Sequence, residues 1–164
     1  MVKLLLSIKA ELENVTDLAP ASDDFDYHFK VKCNSCHETH EKFVTMSKSD
    51  GTKARSGKGT EADFVWRCDF CKRESSASFE PNTTPLPYKA EANGDFSPLL
   101  TLDCRGLEFV GFRHTESAWK CVGVESGTPF PEVDLSDDYW SDYDEKASQA
   151  VSVSGFESKW SRAP

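Results

Sequence analysis

Apolar and polar side chains alternate along the first segment of the chain. Polar residues fill most of the intervening positions, and the apolar set that recurs at every second position is Leu4, Leu6, Ile8, Ala10 and Leu12. A period of two is typical of a β-strand with one buried face. The same period returns between Phe25 and Val31, so a second strand is predicted there, directly before the first cysteines.

The rest of the chain carries short apolar runs between Gly, Pro and polar residues. The polar, proline-containing stretch through Asp17, Pro20 and Asp24 predicts a loop, and positions 47–60, rich in Ser, Gly and Lys, predict another. Only positions 139–150 predict a short helix, so the fold class is all-β. Further strands are predicted at 42–46, 64–66, 77–79, 99–104, 107–112, 119–124 and 151–156.

Two pairs of stretches resemble each other. The sequence LLSIKAELE from Leu5 matches LLTLDCRGLE from Leu99, with Gly106 as an insertion. Further on, HFKVK from His28 can be laid over AWKCV from Ala118. This repetition predicts two related halves, each resembling a β-sandwich or barrel, packed together, with a metal site retained only in the first.

A stretch without clean periodicity separates the two halves. We place the first half at 1–80, a linker at 81–98 and the second half at 99–164. The prolines that punctuate the linker are Pro81, Pro85, Pro87 and Pro98.

Four of the six cysteines form two Cys-x-x-Cys pairs, CNSC and CDFC, each between an arriving and a departing strand. Such turns at hairpin tips each supply two thiolates, and two facing tips complete a tetrahedral zinc site like that of a zinc ribbon. The thirty-one residues between the pairs exceed the common spacing of about 15 to 20. The closure cost grows only logarithmically with loop length, however. The predicted ligands of one structural zinc ion are Cys33, Cys36, Cys68 and Cys71.

A shell of four thiolates leaves no open position for a water molecule, so this zinc is not expected to catalyse hydrolysis. We therefore assign no catalytic and no cofactor-binding residue. Zinc binding is expected to be coupled to folding, because a preformed site rarely exists in the unfolded chain. The sequence leaves open whether the ion is purely structural or exchangeable.

Other chemistries also use Cys-x-x-Cys pairs. Positions 33–37 read CNSCH, the attachment pattern of haem c, but no export signal is visible and the second pair would remain unexplained. A thioredoxin-like dithiol belongs beside a βαβ unit, which the pattern lacks. Disulfides would require a secreted protein.

The two remaining cysteines, Cys104 and Cys121, align with Ala10 and Val31 on inward faces. Buried cysteine is an ordinary small apolar residue, so both are predicted in the core. In the alternative, one of them is the nucleophile of a thiol-dependent redox enzyme similar to the zinc-containing methionine sulfoxide reductases. A catalytic thiol would be partly exposed and of lowered pKa.

The net charge of −9 is unevenly distributed. Residues 30–73 carry ten basic and six acidic side chains, whereas the remainder carries nine basic and twenty-two acidic ones. The acidic balance argues against nucleic-acid binding. The basic segment either surrounds a doubly negative zinc-tetrathiolate centre or forms a partner-binding patch.

No apolar run approaches the roughly 18 residues of a membrane span, and no signal peptide is recognisable. We therefore expect a cytoplasmic protein, with the nucleus as a second possible compartment, and no membrane partner.

Two motifs are less specific. The segment GTKARSGKGT at 51–60 has the composition of a phosphate-binding loop, but Gly59 stands where Ser or Thr should follow Lys58, and a strand follows it. Nucleotide binding is therefore not predicted. The histidines suggest no catalytic triad, and His37 and His40 are expected to be solvated neighbours of the cysteine site; the full set is His28, His37, His40 and His114.

Positions 132–145 hold seven acidic residues, and the aromatic residues Tyr139, Trp140 and Tyr143 are interspersed with them. Aromatic rings among surface carboxylates can bind a basic partner. In the other interpretation the rings close the core of the second half, and the carboxylates face water.

Several segments resemble one family over nearly the whole chain. They are ELENVTDL, CNSC, CDFC, KRESS, LDCRGLE, GVESGTPF and WSDYDEK. They resemble the eukaryotic CXXC motif-containing zinc-binding proteins. The resemblance implies a compact, predominantly β protein with zinc at Cys33, Cys36, Cys68 and Cys71, and no established enzymatic activity. Positions 47–58 and the tail after Phe156 lie outside the family pattern. We therefore expect a monomeric, non-enzymatic protein that interacts with an unidentified protein partner.

Overall fold

The computed structural model describes residues 2–22, 25–47, 54–55, 61–80 and 84–163, with the backbone alone at 54, 55, 61 and 62. This part of the chain forms fourteen β-strands and one short 3₁₀ helix, η1. The predicted all-β class is confirmed. The elements are β1 (Val2–Glu13), β2 (Val15–Pro20), β3 (Asp26–Cys33), β4 (Val44–Ser47), β5 (Ala54–Arg55), β6 (Glu61–Ala62), β7 (Phe64–Arg67), β8 (Glu74–Phe79), η1 (Ala90–Ala92), β9 (Ser97–Arg105), β10 (Leu107–Arg113), β11 (Ala118–Gly123), β12 (Pro129–Asp134), β13 (Tyr139–Asp144) and β14 (Gln149–Arg162).

The strands form three larger sheets and one short hairpin. The six-stranded sheet has the order β13-β14-β1-β9-β8-β7. Two three-stranded sheets have the orders β10-β3-β4 and β12-β11-β2, and β5 pairs with β6. All pairings are antiparallel, as expected for a chain of hairpins and corner-turning strands.

The sheet order has an internal two-fold symmetry. Exchanging β2 with β10, β3 with β11 and β4 with β12 converts one three-stranded sheet into the other. Exchanging β1 with β9, β7 with β13 and β8 with β14 reverses the order of the six-stranded sheet onto itself. The predicted relationship between two β halves is therefore confirmed at the level of topology.

Gly106 is a counterpart of Asn14 in this symmetry, and its treatment as an insertion was wrong. The backbone carbonyl of Gly106 accepts a hydrogen bond from Asn34 at 3.1 Å, and that of Asn14 accepts one from Val124 at 3.0 Å. Both residues have left-handed backbone angles, with φ of 81° at Gly106 and 59° at Asn14. Gly and Asn are the residues that adopt this conformation most readily. Each turns the chain from a central strand into the next sheet.

Strands of both halves contribute to one continuous core. Aromatic rings dominate it, and two close pairs are Phe29 with Phe109, at a centroid separation of 4.7 Å, and Phe25 with Trp119, at 5.0 Å. Rings at these separations add specific contacts to the area that they bury. The largest fully buried side chains include Trp119, Tyr27, Tyr88, Phe29 and Phe109.

The predicted helix at 139–150 was wrong. Residues 139–144 form β13, a turn follows, and β14 begins at Gln149. The apolar residues Tyr139, Trp140, Tyr143 and Ala147 happen to recur at helical spacing. Ser148, with φ of 54°, reverses the chain so that the two segments pair as a hairpin instead.

The predicted loop through Asp17 and Pro20 is largely strand β2, and β12 was not predicted at all. In β2 the alternation is interrupted at Asp17, whose φ of 58° accompanies an irregular register against β11. Three consecutive buried residues follow it. Because such a bulge breaks the alternation of buried and exposed residues, the sequence pattern does not predict this strand.

The boundaries 1–80, 81–98 and 99–164 remain a prediction, and residues 81–83 lie outside the described residues. Strands from both sides of the linker share all three larger sheets. The linker contains η1 and the buried Tyr88, whose hydroxyl donates to the backbone carbonyl of Ala92 at 2.6 Å. The predicted loop at 47–60, with its phosphate-loop motif, lies mostly outside the described residues as well. Within the described ranges, no helix has the length and apolar character needed to cross a membrane.

Candidate metal centre

The first cysteine pair occupies the turn that ends β3. The backbone N–H of His37 donates to the carbonyl of Cys33 at 2.9 Å, and the N–H of Cys33 donates to the carbonyl of Glu38 at 3.0 Å. His37 has a left-handed φ of 64°, which closes the turn. Two backbone hydrogen bonds and one left-handed residue thus fix the turn that carries Cys33 and Cys36.

The second pair occupies an equivalent turn after β7. Here the N–H of Lys72 donates to the carbonyl of Cys68 at 3.0 Å, and the N–H of Cys68 donates to that of Arg73 at the same distance. Lys72 has a φ of 65°, which matches the value at His37. The two tips are therefore built alike, as the paired spacing in the sequence predicted.

The two tips bring the four thiols into one cluster, with all Sγ atoms within 4.8 Å of one another. The Sγ atoms of Cys33 and Cys71 are 3.7 Å apart, and those of Cys36 and Cys68 are 3.6 Å apart. A tetrahedron with Zn–S bonds of about 2.3 Å has sulfur–sulfur edges of about 3.8 Å. The cluster is therefore compatible with a tetrahedral zinc site, and all four thiols are free rather than oxidised to disulfides.

Comparison with known proteins agrees with this geometry. The family described as "CXXC motif containing zinc binding protein, eukaryotic" matches residues 5–161. The chain belongs to this family. A human CXXC motif containing zinc binding protein is 39% identical over 153 residues, covering 93% of this chain and 94% of the relative. The UPF0587 protein C2D10.03c of Schizosaccharomyces pombe is 38% identical over 164 residues, covering 99% and 100%.

Two solved structures share the fold. The crystal structure of C1orf123 superposes with a TM-score of 0.87 at 36% sequence identity, covering 98% of this chain and 99% of the other. A hypothetical protein from Plasmodium falciparum superposes with a TM-score of 0.82 at 24% identity, covering 98% and 100%. The second match is a likeness of fold alone.

In this member of the CXXC zinc-binding family, the environment of the cluster favours the thiolate form at Cys33 over that at Cys36. Burial acts to raise the pKa of Cys33, but backbone hydrogen bonds from Cys36 and Ser35, with help from the neighbouring thiols, lower it to about 7. For Cys36 a backbone hydrogen bond from Glu38 favours the thiolate, yet burial and the neighbouring sulfurs raise its pKa to about 12. Crowded thiols resist a second negative charge, which a bound cation would neutralise.

The histidines do not join the cluster, which consists of the four thiols alone. His37 is exposed on the first tip. The Nδ1 atom of His40 lies 3.8 Å from a carboxylate oxygen of Asp69 on the second tip. His28 interacts with Thr45, and His114 with Asp138.

Cys104 and Cys121 lie in the core, with 1% and 2% of their surfaces exposed. Burial raises the pKa of both thiols to about 12, with nearby carboxylates adding to the effect. A reactive cysteine needs the opposite environment, with access to solvent and a lowered pKa. The redox alternative therefore receives no support from either residue.

A second feature, not found by reading the sequence, is an outer face shared by β13, β14 and β1. Tyr139 pairs with Ser154, which pairs with Glu11. On the same side, Ser141 pairs with Ser152, which pairs with Glu13. Directly paired residues project from the same face of a sheet. We call the set Glu11, Glu13, Tyr139 and Tyr143 the acidic tyrosine face.

Both tyrosines of this face are open to solvent, with 56% exposure at Tyr139 and 54% at Tyr143. They do not close the core, whereas Trp140, on the opposite side of β13, packs against Phe130 at 5.4 Å. Glu11 and Glu13 are exposed, and neither forms an ion pair among the described residues. Of the acidic aromatic segment at 132–145, only Tyr139 and Tyr143 belong to the acidic tyrosine face. The glutamates come from β1, and only the strand register brings them together.

Proposed function

We propose that this protein is a non-enzymatic interaction scaffold, shaped by one structural zinc ion and able to bind a basic segment of a partner protein through its acidic tyrosine face. The observation that carries the proposal is the pair of exposed tyrosines beside two exposed glutamates that form no ion pair with any described residue, all on one sheet face. Exposed aromatic rings are the side chains that most often anchor protein interfaces.

The zinc ion is assigned to Cys33, Cys36, Cys68 and Cys71. Support comes from the sulfur geometry, the family to which the chain belongs and the matching construction of the two tips. Four thiolates saturate the ion, so it would hold two hairpins together rather than activate water.

The chemistry of the face defines the partner. Lysine and arginine interact favourably with the faces of tyrosine rings and form charge-assisted hydrogen bonds with carboxylates. A polar groove of about 630 Å³ is lined by Glu11, Glu13, Asn93, Ser152 and Ser154, and the last of these is the register partner of Tyr139. Such a groove would accept an extended basic segment better than an apolar helix.

The proposal is tested with labelled synthetic peptides in which lysine and arginine alternate with serine, and with matched peptides carrying glutamate instead. Fluorescence anisotropy at physiological ionic strength should show binding of the basic series and none of the acidic series. The double change Tyr139→Ala with Tyr143→Ala should weaken basic-peptide binding about ten-fold or more, because it removes both aromatic anchors. Glu11→Gln with Glu13→Gln should weaken binding and reduce its salt dependence.

Phe70→Ala is the matched control, since Phe70 is an equally exposed aromatic residue, 62% accessible, on the second cysteine tip. It should bind the peptides like the wild type. Equal affinities for the wild type and both face variants would overturn the proposed surface.

A further inference from the structure

The C-terminal half contains two turns that repeat the backbone of the cysteine tips. The two-fold symmetry pairs the end of β3 with the end of β11, and the end of β7 with the end of β13. The residues that stand at the four cysteine positions are then Gly123 for Cys33, Ser126 for Cys36, Asp144 for Cys68 and Ala147 for Cys71. Both pairs keep the spacing of three residues.

Hydrogen bonds fix this correspondence without reference to the side chains. The N–H of Gly127 donates to the carbonyl of Gly123 at 2.9 Å, as His37 does to Cys33. The N–H of Gly123 donates to the carbonyl of Thr128, also at 2.9 Å, as Cys33 does to Glu38.

The left-handed positions repeat as well. Gly127, with φ of 70°, matches His37, and Ser148, with φ of 54°, matches Lys72. Asp144 pairs with Gln149 five residues on, as Cys68 bonds to Arg73.

The space between these turns is filled by the carboxylate of Asp144, which is 0% exposed. Its two oxygen atoms accept hydrogen bonds from the hydroxyl of Ser126, from that of Thr128 at 3.0 Å and from the backbone N–H of Ala147 at 3.2 Å. The Ser126 Oγ and Thr128 Oγ1 atoms are themselves 2.7 Å apart. The network therefore connects the turn after β11 to the turn after β13.

Gly123 shows that the carboxylate occupies the room of a missing side chain. A Cβ atom at this position would collide with Asp144 Oδ2 and lie 2.8 Å from Ser126 Oγ. At the equivalent position in the first half, the side chain of Cys33 points into the cluster. Only a residue without a Cβ atom at position 123 therefore leaves room for the carboxylate of Asp144 between the two turns.

We infer that these residues form a metal-free counterpart of the four-cysteine centre, in which the buried carboxylate of Asp144 joins two turns that zinc and thiolates would join in the N-terminal half. Hydrogen bonds to an ionised carboxylate are stronger than neutral ones, so one side chain can hold both turns. The hydroxyl of Ser126 is the main group that lowers the pKa of Asp144, so the carboxyl is ionised at neutral pH. The two C-terminal turns would thus be joined without a metal ion.

A conversion experiment tests the equivalence of the two centres. The variant Gly123→Cys, Ser126→Cys, Asp144→Cys and Ala147→Cys should bind one more equivalent of Co²⁺ than the wild-type protein under reducing conditions. The thiolate-to-cobalt absorption should rise by a matching amount, because the backbone already holds the four positions in metal-binding geometry. The increment over the wild type is the measured quantity, so it does not depend on how much metal the wild type binds. A folded variant without the additional equivalent would overturn the inference.

If the four-fold variant does not fold, two single substitutions test whether the carboxylate of Asp144 joins the two turns. Asp144→Asn should lower the melting temperature by about 5 °C or more, since the loss of charge-assisted buried hydrogen bonds is not compensated. Asp142→Asn, the exposed neighbour on the same strand, should leave it nearly unchanged. Equal melting temperatures of the two variants would show that Asp144 does not join the turns.

Discussion

At the residue scale, the surroundings of a cysteine decide its chemistry. Cys33 receives backbone hydrogen bonds at a hairpin tip that lower its pKa to about 7, whereas Cys104 and Cys121 are enclosed by apolar side chains that raise theirs to about 12. At pH 7 a thiol of pKa about 12 is ionised in roughly one molecule in 10⁵. The same residue type therefore serves as a candidate ligand in one place and as a packing group in another.

Alkylation measures this difference directly. With iodoacetamide at pH 7 under native conditions, Cys104 and Cys121 should remain unmodified for as long as the protein stays folded. Both should react rapidly in denaturant. Peptide mass spectrometry identifies the modified sites, and rapid native modification of either cysteine would revive the redox interpretation.

The four cysteines could be predicted because their signal is local: each pair lies three residues apart at the tip of one hairpin. The role of Asp144 could not, because serine, aspartate and alanine carry no metal-binding pattern by themselves. The spacing of Gly123 and Ser126 does repeat that of Cys33 and Cys36. Only the aligned backbone makes that repetition meaningful.

At the element scale, β14 illustrates the limits of periodicity. Val151–Phe156 was predicted as a strand, but the strand continues to Arg162 and pairs with β1 along its length. The tail after Phe156 was placed outside the family pattern, yet Trp160 packs on Phe29 at 5.1 Å and on Phe109 at 5.4 Å. The pattern of apolar residues does not predict this end of β14, because Trp160 is its only large residue that faces the core and the neighbouring residues are polar.

Trp160→Ala should lower the free energy of unfolding by about 2–3 kcal/mol, somewhat below the loss for a fully buried aromatic ring. Ser161→Ala, at the adjacent exposed position, should change it by less than about 0.5 kcal/mol. Urea denaturation of the two variants gives both values. Similar values would mean that the end of β14 does not contribute to the core.

At the scale of the whole molecule, the two halves are interleaved rather than placed side by side. The central pair of strands, β1 and β9, comes from different halves, and each three-stranded sheet also combines strands of both. The all-β class and the relationship of the halves could be inferred from repeated strands in the sequence. The interleaving could not, since strand partners far apart in the chain are chosen by the shared core and not by local pattern.

This architecture gives the two halves different means of fixing equivalent turns. The N-terminal turns would depend on zinc, whose binding contributes about 10 to 16 kcal/mol in small zinc modules. The C-terminal turns depend on the carboxylate of Asp144. The acidic tyrosine face combines β1 of the first half with β13 and β14 of the second, so the proposed binding surface is built from both halves.

The central claim is that zinc at the four cysteines is structural. The most direct measurement is a chelator titration of the purified protein, following zinc release with an indicator dye and the β signal by circular dichroism in the same cuvette. We predict a single transition, in which zinc leaves only as the circular dichroism signal of the folded state is lost. Release of zinc at low chelator concentration, with the β signal intact, would contradict the account and identify an exchangeable site.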